Sequence, residues 1–204
     1  MILKEQRLII WGTLLGDAYL QKTGKKNARL KIEHSAKQKD YIFWKYEKLK
    51  NLAQDKPKLI KRFNPKFQKE YYYYRFQTHS SPILGKYKRW FYKDGKKVVP
   101  ENVKTILKHP LVLAVWFMDD GSIDTKNKCL EIYLPKYDKE GIEKLLKALE
   151  EIHNLKPKNR FKKGYPVLVF CSKERDKLIE IIRDYVIESM RYKISFGPVT
   201  TGGV

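Results

Sequence analysis

The stretch IWGTLLGDA, from Ile10 to Ala18, and the stretch LAVWFMDDG, from Leu113 to Gly121, share one pattern. Each is an apolar run of helical character that stops at a carboxylate followed by a small residue. Asp17 and Asp120 each fall early in their own half of the 204-residue chain. Two acids that end apolar helices in a strongly basic protein indicate two metal-binding carboxylates brought together over a polyanion.

The excess of basic over acidic residues indicates which class of molecule the protein binds. Lys and Arg number 44 against 23 acidic residues, a formal charge of +21, and this excess opposes compaction. Nucleic-acid phosphate is the expected partner, because each neutralised phosphate releases condensed counterions. The charge is spread along the chain and not confined to one amphipathic helix, which disfavours a membrane-surface protein. Lysines that serve solubility alone are the remaining alternative.

The cysteine pattern and the lack of recognisable targeting signals predict that the protein works in a reducing compartment. Cys129 and Cys171 lie in apolar, strand-like contexts without a CxxC motif, and we expect two buried thiols that form no disulfide. The four histidines lack zinc spacing. We find no signal peptide, transit peptide or membrane-spanning run. The wealth of Lys, Ile, Tyr and Asn is typical of an AT-rich genome. The expected location is therefore an organelle matrix (mitochondrion or chloroplast) or a prokaryotic cytoplasm, without secretion.

Periodicity predicts alternating helices and antiparallel strands in the first half. In residues 28–34, Ala28, Leu30 and Ile32 share one face and Arg29, Lys31 and Glu33 the other, which is typical of a half-buried strand. The expected helices are at about 4–17, 39–52 and 82–91, and the expected strands at 28–34, 59–63 and 71–78.

The second half repeats this plan without repeating the sequence. Its expected helices end at 120 and span 139–153 and 174–190, and its expected strands span 130–134, 159–163 and 167–171. Leu130, Ile132 and Leu134 are in register with Leu30, Ile32 and His34. The fold class is therefore α+β, with two pseudo-symmetric αββαββα halves. The predicted boundaries are 1–95 and 104–196 for the halves, 96–103 for the linker and 197–204 for a flexible tail.

Three further segments make the pattern specific. They are WFMDDG from Trp116 to Gly121, KKVVP from Lys96 to Pro100, and MRYK from Met190 to Lys193. With both apolar motifs, they give the chain a close resemblance to the LAGLIDADG homing endonucleases of the single-chain, two-motif type. The group it resembles in particular is the yeast mitochondrial intron-encoded endonucleases. The resemblance covers about residues 8–195.

The resemblance implies how the halves are arranged. In the family, the motif helices pack side by side at the centre on a pseudo-twofold axis, and the antiparallel sheets form a DNA-binding saddle. Gly12 and Gly16 would permit close backbone approach on one side of such a pair. The second helix has Ala114 and Val115 in place of a matching glycine pair.

The resemblance also implies a catalytic set. Asp17 and Asp120 occupy the family's acid positions and are expected to bind Mg²⁺, with Mn²⁺ as a substitute and Ca²⁺ supporting binding without cleavage. Lys97 and Lys193 occupy its basic positions, where they orient water or stabilise developing charge; surface lysines are the alternative. Asp119 competes with Asp120, and the motif register favours Asp120. Each half is expected to cut one strand, leaving 3′ overhangs.

Strand parity predicts the residues that face DNA. Arg and Gln read G and A through paired hydrogen bonds, whereas most lysines contact phosphate. Whether Glu33 and Tyr133 contact metal-bound water, DNA or only solvent is left open by the residues. The predicted DNA-facing residues are Arg29, Lys31, Glu33, Arg75 and Gln77 in the first half, and Glu131, Tyr133, Arg160 and Lys162 in the second.

Three functions are compatible with this pattern. The first is a site-specific double-strand DNA endonuclease that spreads its own intron or intein. The second is an RNA maturase that helps to splice its own intron RNA, and the third is a regulator that binds DNA without cleaving it. Retention of both acids and both lysines favours the first. The expected partner is double-stranded DNA with a long, pseudo-palindromic site, bound by a monomer away from any membrane.

Overall fold

The computed structural model describes residues 2–196, which form a mixed fold of helices and antiparallel sheets. The chain divides into two compact units, one ending at Lys96 and the other beginning at Lys97. The α+β class and the two four-stranded sheets predicted from the sequence are confirmed. The predicted tail, 197–204, lies outside the described residues. Within residues 2–196, no helix is both long and apolar enough to cross a bilayer.

The N-terminal unit has one four-stranded sheet with strand order β1-β2-β4-β3. A short 3-10 helix, Ala36–Gln38, joins β2 to the helix that follows it. The elements are α1 (Lys4–Leu15), β1 (Tyr19–Lys22), β2 (Ala28–Ser35), α2 (Lys39–Leu49), β3 (Lys58–Asn64), β4 (Lys69–Gln77), α3 (Pro82–Phe91) and β5 (Tyr92–Lys93).

Strand β2 positions the polar face of this sheet. Its burial alternates along its whole length, and Leu30, Ile32 and His34 are buried on one side. Ile32 lies opposite the buried Phe76 of β4, and Glu33 lies opposite Arg75. Because successive strand residues point to opposite faces, Glu33 and Arg75 share the face that turns away from this apolar layer.

The C-terminal unit has the second four-stranded sheet, with order β7-β8-β10-β9. A two-residue pairing of β5 with β6 leads into the unit. Strand β6 (Lys96–Lys97) spans the unit boundary. The elements that follow it are α4 (Val103–Leu107), α5 (Pro110–Asp120), β7 (Gly121–Asp124), β8 (Cys129–Tyr133), α6 (Lys139–His153), β9 (Lys158–Lys162), β10 (Tyr165–Cys171) and α7 (Lys173–Ile182).

The final helix differs from its prediction. A single helix was expected at 174–190, but α7 ends at Ile182 and a separate 3-10 helix spans Glu188–Lys193. A turn at 183–185 follows α7, and the backbone at Ile187 is extended, with φ −68° and ψ 156°, so the helix does not continue into the 3-10 helix. The break redirects the chain, and the 3-10 helix that follows carries Lys193 to the end of α5.

The cysteine prediction is wrong. Cys129 and Cys171 form a disulfide, with their Cα atoms 4.4 Å apart. The two residues lie directly opposite each other in the antiparallel pairing of β8 with β10. This separation falls within the range that a disulfide requires. The pairing depends on strand register between residues 42 positions apart in sequence, which local patterns do not reveal.

His153 ties the end of α6 to α4 and makes stability depend on pH. Its Nε2 lies 2.7 Å from the carbonyl oxygen of Leu107. Burial lowers the pKa of His153, and the hydrogen bond to Leu107 offsets only part of this effect. The unfolded chain therefore binds the proton at higher pH. The stability contributed by neutral His153 is present above the ordinary pKa of 6.5 and is lost as pH falls through the lower, folded pKa.

Replacing His153 with glutamine is expected to reduce the loss of unfolding free energy between about pH 7 and about pH 5. Glutamine can keep a donor for Leu107 but does not titrate in this range. Urea denaturation of both proteins at the two pH values measures the difference. An identical pH dependence in the two proteins would contradict this role for His153.

Candidate functional site

The first motif acid lies just beyond its helix. Helix α1 ends at Leu15, and the amide of Gly16 donates to the carbonyl oxygen of Gly12. The amide of Ala18 donates to Thr13 at 2.9 Å and closes the turn that holds Asp17. The Asp17 side chain is 39% exposed, and its Oδ2 lies 3.6 Å from Nδ1 of His34. The sequence placed Asp17 at the helix end; the structure adds His34 as its neighbour.

The second motif acid is the last residue of its helix. Asp120 ends α5 and is half-buried, whereas Asp119 is only 9% exposed. The Lys193 ammonium donates to the carbonyl oxygen of Met118 at 2.6 Å and lies 3.4 Å from that of Asp119. A cation at the carbonyl end of a helix is favoured by the helix dipole. The structure therefore places Lys193 at the same end of α5 as Asp120.

Close packing explains why a small residue follows Asp120. A Cβ atom at Gly121 would lie 2.3 Å from the carbonyl oxygen of Phe117 and 2.6 Å from its ring. Replacing Gly121 with alanine is expected to destabilise the protein by about 1–3 kcal/mol, measured by chemical denaturation. Gly24→Ala is the matched control, because no atom lies within 4 Å of the added Cβ there. Equal denaturation midpoints for the two variants would contradict this steric assignment.

Lys97, the other predicted lysine, lies in β6. It is half-buried and follows the turn at Asp94 and Gly95, both of which have positive φ angles. The unit boundary falls between Lys96 and Lys97. The catalytic role of Lys97 stays a prediction.

The polar sheet face of the N-terminal unit contains a charged network around Glu33. The Glu33 carboxylate accepts from Nε of Arg75 at 2.7 Å and from Arg62 at 2.8 Å. Gln54 Oε1 accepts from Gln77 at 3.1 Å and lies 3.5 Å from Arg29. The predicted DNA-facing residues therefore form two groups, one of Glu33 with Arg75 and one in which Gln54 joins Gln77 and Arg29.

Two partners on this face were missed by the sequence analysis. Arg62 on β3 reaches Glu33, and Gln54 precedes β3. Strand β3 is mostly exposed and has no clear alternation that would indicate Arg62, and the contact of Arg62 with Glu33 depends on strand order. The remaining predicted residue, Lys31, has its ammonium 5.8 Å from the ring of Tyr19.

The C-terminal sheet has a more enclosed polar group. Lys162 contacts both Glu131 and Asp124, the latter at 3.0 Å, and Glu131 is only 4% exposed. The hydrogen bonds to Glu131 and Asp124 raise the pKa of Lys162. Two hydrogen bonds from Asn127, together with Lys162, hold the pKa of Asp124 well below its usual range. Of the predicted residues in this half, Glu131 and Lys162 are thus joined as one ion pair.

Tyr133 and Arg160 lie on either side of β10. Val167 is directly opposite Tyr133 in one pairing and directly opposite Arg160 in the other. Burial raises the pKa of Tyr133, and the Glu131 carboxylate adds to this effect. Arg160 is exposed. The DNA-contacting roles of these residues stay predictions.

Comparison with known proteins agrees with this architecture. A curated protein called probable intron-encoded endonuclease 1, from Wickerhamomyces canadensis, is 29% identical over 95% of this chain and 84% of its own length. Cytochrome b mRNA maturase bI2 from Debaryomyces hansenii is 28% identical over 94% of this chain and 74% of its own. The homing endonuclease I-WcaI, solved bound to its DNA recognition sequence, aligns with a TM-score of 0.88 at 28% identity, over 97% of this chain and 88% of that one.

The family profile decides the assignment. The profile described as the LAGLIDADG DNA endonuclease family matches residues 7–178, which include both motif acids and both sheets. The profile match extends over most of the chain, and so does the structural alignment with I-WcaI. The chain therefore belongs to the LAGLIDADG DNA endonuclease family.

Proposed function

We propose that this LAGLIDADG endonuclease hydrolyses both strands of DNA at one long, pseudo-palindromic site, and that Asp17 and Asp120 each bind Mg²⁺. The observation that carries the proposal is the repeated placement of an acid at the carboxyl end of a motif helix, once in each unit. Each acid is followed within two residues by a strand of a four-stranded sheet that carries basic side chains.

Each of the two carboxylates has the chemistry to bind a hard divalent cation. Carboxylate oxygens are the protein ligands that Mg²⁺ prefers, together with phosphate oxygens and water. Asp17 is accessible at 39% side-chain exposure, and Asp120 is half-buried. The negative ends of two helix dipoles add to the attraction for a cation. When bound, Mg²⁺ activates the attacking water and neutralises the leaving oxygen.

The lysines supply fixed positive charge. Lys193 is 7% exposed, and its ammonium is held by the carbonyls at the end of α5. A fixed ammonium at this point orients water and stabilises negative charge that develops on the phosphorus centre. We assign the same role to Lys97 in the other half of the reaction. Mn²⁺ supports cleavage in place of Mg²⁺, and Ca²⁺ supports binding alone.

The sheet faces supply recognition. Arg75, Gln77 and Arg160 read base edges, because guanidinium and amide groups make paired hydrogen bonds to G and A. Lys31 and other lysines contact phosphate and set the register on the duplex. Glu33 and Glu131 hold neighbouring cations in place, since each accepts from a basic side chain on the same face. One chain carries both motifs, so the active form is a monomer.

Cleavage of the uninterrupted host gene tests this function. The gene that flanks the coding sequence is rejoined without its insertion, and the duplex is incubated with protein and Mg²⁺. We expect cuts in both strands at fixed positions, staggered to leave 3′ overhangs, and no cuts in the interrupted gene. Specific binding without cleavage in Mg²⁺ or Mn²⁺ would contradict the endonuclease function.

RNA splicing is a second candidate function. The similarity to cytochrome b mRNA maturase bI2 favours it, because that relative aligns with nearly the whole chain. A maturase would accelerate splicing of the intron RNA that encodes it, and this step does not need the two acids. Splicing assays with wild-type protein and the Asp17→Asn variant distinguish the functions. Equal acceleration by both proteins supports a maturase, and no acceleration contradicts it.

A further inference from the structure

A buried cationic cluster lies behind Asp17 in the N-terminal unit. Lys45 of α2 is completely buried, and so is Thr13 of α1, while His34 is 3% exposed. The Lys45 ammonium donates to Oγ1 of Thr13 at 2.7 Å and lies 3.0 Å from Nε2 of His34. It also lies 4.4 Å from the centre of the Tyr41 ring. Burying an ammonium carries a large desolvation cost, so its retention here indicates a purpose beyond packing.

The cluster determines which atom of His34 faces the acid. An ammonium group has three donors and no acceptor, so its contact with Nε2 makes that nitrogen the acceptor. The ring proton then lies on Nδ1, which is the atom 3.6 Å from Oδ2 of Asp17. The Tyr41 ring packs against the His34 ring, with the ring centres 4.9 Å apart. Lys45 thus orients His34 as a donor toward Asp17.

The C-terminal unit fills the corresponding positions with apolar side chains. Motif register places Trp116 at the position of Thr13, and strand register places Leu134 at that of His34. Counted from the first residues of α2 and α6, Leu145 takes the position of Lys45. All three are completely buried. Because this arrangement of helix and sheet packs well with leucine at both positions, the fold itself does not require the His34–Lys45 pair. The pair belongs to the half that carries Asp17.

We infer that His34 and Lys45 are positioning residues that orient the Asp17 carboxylate for its cation, a device present in one half only. The inference rests on the proposed role of Asp17. Partners that hydrogen-bond to a ligating carboxylate fix its orientation, and their loss typically lowers metal affinity or activity roughly 10- to 100-fold. Lys45 acts on Asp17 indirectly, because it determines the tautomer of His34.

The test replaces the cluster with the residues of the other half. His34→Leu and Lys45→Leu are assayed on a duplex labelled on both strands, over a range of Mg²⁺ concentrations. We expect His34→Leu to lower the rate roughly 10- to 100-fold and to raise the Mg²⁺ concentration for half-maximal cleavage. Lys45→Leu shifts both quantities in the same direction by less. The strand that depends on Asp17 is affected more than the other, and binding in Ca²⁺ is unchanged.

Two controls separate positioning from folding. Asparagine at position 34 places an amide donor near the position of Nδ1, so His34→Asn is expected to recover most of the rate and the Mg²⁺ affinity. Thr78→Val removes a buried hydroxyl that accepts from the Leu30 amide at 3.0 Å, away from the cluster. It is expected to lower stability without changing the Mg²⁺ requirement. The same behaviour in His34→Leu would overturn the inference, because it indicates a purely structural role.

The variant Asp17→Asn, run in parallel, separates this inference from the proposed function. If Asp17→Asn abolishes cleavage but both leucine variants cut at the wild-type Mg²⁺ requirement, the positioning role is wrong and the proposed function stands. If Asp17→Asn itself cuts both strands at the wild-type rate, the proposed function is wrong, and the positioning role fails with it.

Discussion

Replacing Asp17 or Asp120 with asparagine is expected to abolish double-strand cleavage while DNA affinity stays close to wild type. Asparagine keeps the size and one oxygen of the side chain but loses the negative charge that binds the cation. The loss in cleavage rate should exceed the roughly 10- to 100-fold typical of residues that only support a ligand. Binding is expected to survive because the phosphate and base contacts proposed on the sheet faces do not use these acids.

The measurement combines a cleavage assay in Mg²⁺ with a binding assay in Ca²⁺ on the same duplex. Asp119→Asn is the matched control, since Asp119 is the neighbouring acid of the second motif and is only 9% exposed. It is expected to retain cleavage. Full cleavage by Asp17→Asn or Asp120→Asn would contradict the assignment, as would loss of cleavage in Asp119→Asn with full activity in Asp120→Asn.

DNA binding is expected to weaken steeply with salt. The formal charge of +21 attracts a polyanion, and each lysine or arginine that neutralises a phosphate releases condensed counterions. For about six to ten phosphate contacts, affinity should fall roughly 10³- to 10⁵-fold between about 50 mM and about 200 mM salt. Fluorescence anisotropy over a salt series in Ca²⁺ measures the slope of log affinity against log salt.

Two lysine variants refine this prediction. Lys31→Met, on the polar sheet face, is expected to reduce the slope by about one contact. Lys144→Met is the control, because the Lys144 ammonium on α6 is already paired with Glu101 and Glu140. It should leave the slope unchanged. A wild-type affinity that hardly responds to salt would contradict phosphate contacts as the main source of binding.

Local patterns predicted most of the fold. The alternation in β2 correctly predicted Leu30 and Ile32 as buried, because a strand with one covered face must alternate. Helices α3 and α6 match their predicted spans, since capping residues Ser81 and Asp138 mark their starts. Motif register favours Asp120 over Asp119 as the catalytic acid, and this choice stays a prediction; the structure places Asp120 at the last position of α5.

Features that depend on distant contacts were not predicted. The Cys129–Cys171 disulfide requires the β8–β10 register, and the separation of α7 from the last 3-10 helix, marked by extended backbone at Ile187, was also missed. The pattern of β2 placed His34 on the buried face, but nothing local indicates that Lys45 meets it there. Polar groups inside a core are recognised only once their partners are known.

Strand-resolved cleavage in the presence of different metals tests the central claim most directly. A duplex of the uninterrupted insertion site, labelled on both strands, is incubated with wild-type protein in Mg²⁺, in Ca²⁺ and in a chelator. We predict staggered cuts in both strands with Mg²⁺, and binding without cuts in Ca²⁺ and no cuts in the chelator. Cleavage that persists without a divalent cation, or specific binding that never leads to cleavage in Mg²⁺, would contradict the claim.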